Sequence, residues 1–444
     1  VSTQTATTLP TTTETLPDGV EFIAVQWVDV HGATKAKLVP RGAWTATCEQ
    51  GGGAGFAAFA NHGFARGPEH PEFVAMPDAA TLTVLPHRPD MAVAFSRVMD
   101  GEAAATCDAR AILARVQATA AERGLLPMAG IEPEFFLLRE DGAGGYLPYD
   151  ALDVLDKPCY DLRALLRAAP VLKEIVGTME QLGWGVSAID HEDGNGQYEI
   201  NFDYADALTT ADRFTLLRTL IADVASSHGA IASFMPKPLA GRTGSGAHVH
   251  LSAVSAEGAN AFLDSGDARG LGLSGVAYSF IAGVLAHGRA LSALTMPTVN
   301  SYRRINASGG LSGAAWSPNA IVYGSNNRTT MLRVPGPGRI EDRGVDSCCN
   351  PYLALAGIIA AGLDGVERGL DPGAPETGTA SSLGVATLPR TLVEALDELE
   401  LDTVLRDALG EEALAEFIAV KRMEWGAYME SVTAWELDTY LRRA

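Results

Sequence analysis

Residues 130–138 read GIEPEFFLL. Alternate side chains of an extended chain share a face, so Glu132 and Glu134 stand on one side and Ile131, Phe135 and Leu137 on the other. Three other stretches repeat the pattern. GQYEINF (196–202) puts Gln197, Glu199 and Asn201 on one face, GAHVHLS (246–252) does so with His248, His250 and Ser252, and RIEDR (339–343) with Arg339, Glu341 and Arg343. Four strands, each polar on one side, predict a sheet lining a polar cavity. Paired carboxylates are costly to bury unless a cation neutralises them. A donor set rich in oxygen, with one or two His, favours Mg²⁺ or Mn²⁺ over zinc. Glu192, seven residues before Glu199 in HEDGNGQYE (191–199), can return to the same site across a Gly-containing turn. An ExE or an HxH by itself is more often a solvated or structural pattern.

A second feature gives these motifs weight. From Arg289 to Arg343 the chain holds seven Arg (289, 303, 304, 328, 333, 339 and 343) and only two acids, Glu341 and Asp342. The whole chain carries 33 Lys+Arg against 54 Asp+Glu, a net charge of −21. Arg is the residue for bidentate recognition of carboxylate and phosphate. Carboxylate-bound metals facing an Arg cluster suit nucleotide-dependent phosphoryl transfer, where positioning and charge neutralisation do most of the catalysis. Neither a GxxxxGK[ST] loop nor a kinase-type glycine loop occurs, which argues against those two folds.

The 444 residues allow two or three domains. The acidic balance argues against a nucleic-acid partner, and no apolar run reaches the length of a membrane span. With no signal-peptide pattern and five scattered cysteines lacking CxxC spacing, the expectation is a cytoplasmic protein. The Thr-rich residues 1–17 read as a disordered tail. Residues 18–107 read as a small, mostly β domain: a hairpin over 20–40 turning at His31-Gly32, and a strand pair at 81–85 and 91–95. The Gly-rich stretch 48–68 between them reads as an ordered loop or short helix. Asp108 then caps a helix, with Ile112, Val116 and Ala120 on one face and Gly124 as its stop. In 108–444, strands at 128–138, 196–202, 247–253, 330–334 and 339–343 alternate with helices at 161–182, 210–228, 272–294, 351–368, 391–408 and 411–430.

These motifs, with FMPKPLAGRTGSGAHVHLS (234–252), PTVNSYRR (297–304), NNRTTMLRVP (326–335) and NPYLALAGIIAAGLDG (350–365), resemble those of glutamine synthetases across roughly residues 20–443. The resemblance implies an α+β fold: a small N-terminal β-grasp domain, and a large catalytic domain with an antiparallel-rich curved sheet and flanking helices. It also implies a homo-oligomer, usually a dodecamer of two hexameric rings, with active sites between subunits. One metal would be held by Glu134, Glu192 and Glu199 and another by Glu132, His248 and Glu341. His250, Ser252 and Arg339 would face ATP. Gly244, Arg304 and Arg343 would bind L-glutamate, and Arg328 and Arg333 the phosphates and the transferring group, Arg333 being shared with the nucleotide. ATP would phosphorylate the γ-carboxylate, and an amine would then displace phosphate.

Two departures bear on the amine. Ammonia-using members carry an aspartate in a DGSS stretch before the MPD motif; counting back from Met76-Pro77-Asp78 lands at Ala58. Those members also have a flap glutamate before an Ala-Pro pair. Here NASGGLSGAAWSPN (306–319) is about six residues longer, lacks any carboxylate and has Trp316 before Ser317-Pro318. Losing both charges suits a cation bearing a methyl or short alkyl group, through apolar burial and cation–π attraction. The expected amine is methylamine, with ammonia (Glu192 or His62 supplying the base) and a polyamine as alternatives. The C-terminal KRMEWGAYMESVTAWELDTYL (421–441) also resembles the γ-glutamylmethylamide synthetase group. After 370–373 the chain lacks the tyrosine loop used for adenylylation in some members. A non-catalytic oligomer of this fold and a metal-dependent hydrolase are the outside alternatives.

Overall fold

The computed structural model describes residues 16–49, 51–307, 316–380 and 384–443. The first fifteen residues of the expected tail, and residues 308–315 of the loop before Trp316, lie outside the described residues. The last two residues of that tail are ordered. The Arg41 guanidinium donates to the Leu16 and Pro17 carbonyls at 2.9 and 2.7 Å, and Leu16 packs against the N-terminal core.

The hairpin forms as the alternation predicts. Phe22–Val28 pairs antiparallel with Thr34–Pro40, and the Asp29 carboxylate accepts from the amides of His31 and Ala33 to close the turn. The strand Arg88–Asp100 runs parallel beside Phe22–Val28 and antiparallel to Thr83–Leu85, the second expected pair. Phe73–Pro77 extends the same sheet. The Gly-rich stretch is not only a loop or helix: its residues Ala54–Phe56 add an edge strand beside Phe73–Pro77, and Ala58–Ala60 form one 3₁₀ turn. Aromatic packing decided this. Phe56 stacks on Trp27 at 4.2 Å and meets Phe64 and Phe73 edge-on, burying a patch that the glycine count obscured.

Among the described residues the second sheet has ten strands. Its path runs Val186–His191, Gln197–Phe202, Leu126–Glu140, Ala247–Val254, Arg339–Asp342, Thr330–Gly336 and Ala320–Ser325. All neighbours on it are antiparallel except the last pair. The register sets Glu134 opposite Glu199, Glu132 opposite His248 and Glu341 opposite His250. Ile131, Val249, Leu251 and Ile340 on the other face are buried in the main core, with residues of the helices Ala109–Glu122, Ala207–Ser227, Gly275–Ala286 and Pro351–Glu367. The α+β architecture, with a curved sheet flanked by helices, is the expected one.

Two expected helices are each divided. The 272–294 span breaks at His287 into Gly275–Ala286 and Gly288–Thr295, and 391–408 breaks at Asp402 into Leu392–Leu401 and Thr403–Leu409. Asp402 is extended (φ −81°, ψ 107°), and its side chain accepts from Leu405 N as the cap of the second piece. The same carboxylate accepts from His287 Nδ1 at 2.6 Å, so one pair bridges the two breaks. Among the described residues no helix is long and apolar enough to cross a membrane.

Candidate active site

The polar faces of the central strands converge on two adjoining cavities. One, about 410 Å³, is lined by Glu132, Glu134, Glu192, Glu199, His248, His250, Trp316, Arg328, Arg333, Arg339 and Arg343 among others. The second, about 530 Å³, shares Glu132, His250 and Arg339 and adds Ser252, Phe202 and Tyr204. The remaining three expected residues lie directly behind these walls. Glu341, fully buried, accepts from Arg343 at 2.6 Å and Arg333 at 2.8 Å. Buried Arg304 donates to the Arg343 carbonyl at 3.3 Å, and the Gly244 carbonyl accepts from Gln197 Nε2 at 3.1 Å. All fifteen sequence candidates are thus within one assembly. Of the seven arginines, Arg289 and Arg303 do not join it: Arg289 pairs with Glu398 on the surface and Arg303 sits over Tyr428.

The grouping of the acids is less tidy than the two expected triads. Ligand atoms come closest in three sets: Glu132, Glu199 and His248; Asp190, Glu192 and Glu199; and Glu132, His250 and Glu341. Asp190 was missed because the strand Val186–His191 has weak alternation and several exposed residues. Glu134 belongs to none of these sets. One of its oxygens accepts from Gly246 N and Gln197 Nε2, and the other lies 3.8 Å from His248 Nε2. His248 Nδ1 lies 3.9 Å from Glu132 and 3.8 Å from Glu341, and buried Nε2 has no hydrogen-bond partner. These separations exceed a hydrogen bond yet suit a shared ion: two atoms about 2.1 Å from one cation stand about 3 Å apart at right angles and about 4 Å apart when opposed. The oxygen-dominated set therefore fits a hard divalent cation.

Charge is the site's dominant physical fact. Burial, then the neighbouring Glu134 charge, pushes Glu192 up to about 7, and burial with Glu134 and Glu192 beside it raises Glu199 well above the carboxylate range. Burial raises Glu134 too, in spite of Arg304 and its Gly246 hydrogen bond. Burial also lowers His248 well below its ordinary value, assisted by Arg343 and Arg304, so its ring is neutral and able to act as a ligand. Glu132 is the exception. Burial would raise it, but the His250 ring 3.0 Å away and the charges of Arg339 and Arg343 hold it low.

Two glycines make room for this packing. A Cβ on Gly244 would lie 2.4 Å from the Pro236 carbonyl oxygen and 2.8 Å from Arg304 Cγ; one on Gly246 would lie 2.7 Å from Arg304 Nη2 and 3.0 Å from His248 Nε2. The loop carrying Glu192 is pinned from below. Buried Asp153 accepts from His191 Nε2 at 2.7 Å, from Asn195 Nδ2 at 2.9 Å and from Gly196 N at 2.5 Å, while His191 Nδ1 faces the Glu192 carbonyl at 2.8 Å. Burial works against both charges, yet the His191–Asp153 contact holds Asp153 below and His191 above their ordinary values. Nothing in ALDVLD (151–156) marks Asp153 as special, since its partners arrive from about forty residues away.

Residues 106–440 match the family described as glutamine synthetase, catalytic domain. The chain belongs to the glutamine synthetase family. It is an ATP-dependent ligase of that family, whose members use ATP and divalent metals. A glutamine synthetase of Rhizobium meliloti is 43% identical over 98% of this chain and 99% of its own length. A glutamate–methylamine ligase of Methyloversatilis universalis is also 43% identical, over 95% of this chain and 96% of its own. The solved structure "GmaS/ADP complex-Conformation 1" superposes with a TM-score of 0.90 at 43% identity, covering 95% of this chain and 97% of that one. "Apo GmaS without ligand" gives 0.89 at 42%, covering 96% and 97%. Overall identity to the two relatives is the same and does not by itself choose between their activities.

Trp316 lines the smaller cavity. Its indole N–H donates to Asp193 at 3.1 Å, its carbonyl accepts from Arg343 at 3.2 Å, and the Arg328 guanidinium stands 6.0 Å from the ring centroid. Ala58 is buried in the core of the N-terminal sheet, and His62 packs against His31 rather than lining either cavity.

Proposed function

We propose that this ligase joins the γ-carboxylate of L-glutamate to methylamine through a γ-glutamyl phosphate, giving γ-N-methylglutamine, ADP and phosphate. The observation that carries the reading is Trp316 in the cavity wall, an aromatic surface at the position where the resemblance to ammonia-using members implies a flap carboxylate. Aromatic and apolar surface attracts an alkylammonium by cation–π contact and methyl burial, and gives little to a small hydrated ammonium.

Divalent ions held by Glu132, Glu134, Glu192, Glu199, His248 and Glu341 would neutralise phosphate charge, Mg²⁺ or Mn²⁺ being the cations suited to that donor set. His250, Ser252 and Arg339 would hold the nucleotide in the larger cavity. Arg304 and Arg343 would clamp glutamate, with Gly244 permitting close backbone approach. Arg328 and Arg333 would stabilise charge on the transferring phosphoryl group while the γ-carboxylate oxygen attacks and ADP leaves. The amine nitrogen then attacks the acyl carbon, loses a proton and expels phosphate. A ring-based homo-oligomer, a dodecamer with sites between subunits, accords with the exposed apolar side chains of Trp435, Leu437 and Leu441 near the C-terminus.

The second reading is a glutamate–ammonia ligase, favoured by the equal similarity to the Rhizobium glutamine synthetase. ADP release with L-glutamate and ammonium, methylamine, ethylamine or putrescine separates the two. A methyl group in an apolar pocket is worth about 10- to 200-fold in kcat/KM, so methylamine is expected to exceed ammonium by at least about tenfold. Ammonium ahead by about tenfold overturns the proposal.

A further inference from the structure

Asp193 and Trp316 are 123 residues apart in sequence and meet beside the catalytic cavity. Asp193 is fully buried, and its Oδ2 accepts from Thr243 Oγ1 at 2.6 Å and from the Trp316 indole N–H at 3.1 Å. It belongs to the segment anchored beneath by Asp153, which holds its backbone independently of Trp316. The indole has one polar atom, a donor. A carboxylate is therefore the directional contact that sets the ring's rotation, and cation–π attraction depends on which way the ring face points.

We propose that Asp193 is the positioning residue of the amine pocket. Thr243 orients the Asp193 carboxylate, the carboxylate orients the Trp316 ring, and the ring selects a primary alkylammonium over ammonium. This rests on the methylamine reading above. Asp193 acts through Trp316 and moves no proton in this scheme.

The test is steady-state kinetics of the full-length enzyme with ATP, Mg²⁺ and L-glutamate, measured separately with methylamine and ammonium. W316F keeps a ring but loses the N–H; D193A keeps the indole but loses its acceptor. Each is expected to raise the methylamine KM by about tenfold, the worth of a hydrogen bond to a charged group, while the glutamate KM stays within about twofold. The double variant W316F/D193A is expected to be no worse than the poorer single variant, because both remove one interaction. T243V shifts the methylamine KM in the same direction, and T243S, which keeps the hydroxyl, recovers most of the loss. D193N keeps the size of the side chain and gives an intermediate shift, which serves if D193A does not fold. A merely structural role would lower kcat for both amines alike and leave the ratio of their KM values unchanged. That result, or multiplying effects in the double variant, overturns the proposal. If the parent enzyme prefers ammonium, the methylamine reading falls, and the same double-mutant comparison on the ammonium KM still reports whether Asp193 acts through Trp316.

Discussion

Replacing Asp153 with Ala would expose how the Glu192 loop is held. Its carboxylate satisfies three buried donors: His191 Nε2, Asn195 Nδ2 and Gly196 N. All three residues are buried and cannot turn to water. A buried donor left without a partner costs about 1–3 kcal/mol, and the imidazolium lies at the upper end. Asn195 Nδ2 keeps the Leu155 carbonyl at 3.2 Å, so His191 Nε2 and Gly196 N are the two left without a partner, together about 4–6 kcal/mol, a large part of the roughly 5–15 kcal/mol that holds a typical domain together. D153N is the informative companion. Its amide nitrogen can donate to a neutral His191 and its oxygen can take Asn195, so one donor, Gly196 N, is lost, at about 1–3 kcal/mol. Urea unfolding followed by tryptophan fluorescence reads both, and metal-activated turnover reads the loop. The expected order is wild type, then D153N, then D153A, with activity falling in step. If D153A lies within about 1 kcal/mol of wild type, or below D153N in cost, the donor count is wrong and the loop is held by packing instead.

Other outcomes follow from the same physics. His287 lies 2.6 Å from Asp402 and 3.2 Å from Asp364, which also carries Arg368, and its hydrogen bond to Asp402 outweighs burial to raise its affinity for a proton above the usual 6.5. Its contribution is full below pH 6.5 and is lost as pH rises through the elevated folded value, so stability should fall on the alkaline side in wild type and less so in H287Q, read by denaturant melts at several pH values. Because Glu192 holds its proton up to about 7, cation binding must displace it, and the Mg²⁺-induced rise in melting temperature should grow between pH 6 and 8; E199Q should abolish most of that rise. In G246A the new methyl meets Arg304 and His248, so a rise in glutamate KM and a stability loss of about 1–3 kcal/mol are expected; unchanged kinetics would mean that the arginine yields freely.

The sequence was most legible where chemistry rides on a local period. Glu132, Glu134, Glu199, His248, His250 and Glu341 could be assigned to one polar face because alternation in a strand needs only neighbouring residues. It was less legible where a partner lies far along the chain. The helix breaks at His287 and Asp402 are bridged by one ion pair spanning 115 residues, which no helical propensity records. The edge strand Ala54–Phe56 was hidden by glycines because its pairing depends on Phe73–Pro77 reaching it. Arg289 and Arg303 look like Arg304 in sequence, yet the helix that carries 303 and 304 turns one outward and the other inward.

By itself the sequence determined the family, the curved sheet's polar face and the identity of the charged groups, since these follow from residue type and spacing. Tertiary structure decided which acids stand close enough to share an ion and that Asp190 stands among them, that Asp153 anchors the Glu192 loop, and that Asp193 accepts from Trp316. Those facts depend on which backbone segments the fold brings within hydrogen-bond distance. Side-chain hydrogen bonds reach about 3 Å, and only the closed fold brings residues 43 and 123 positions apart to that distance.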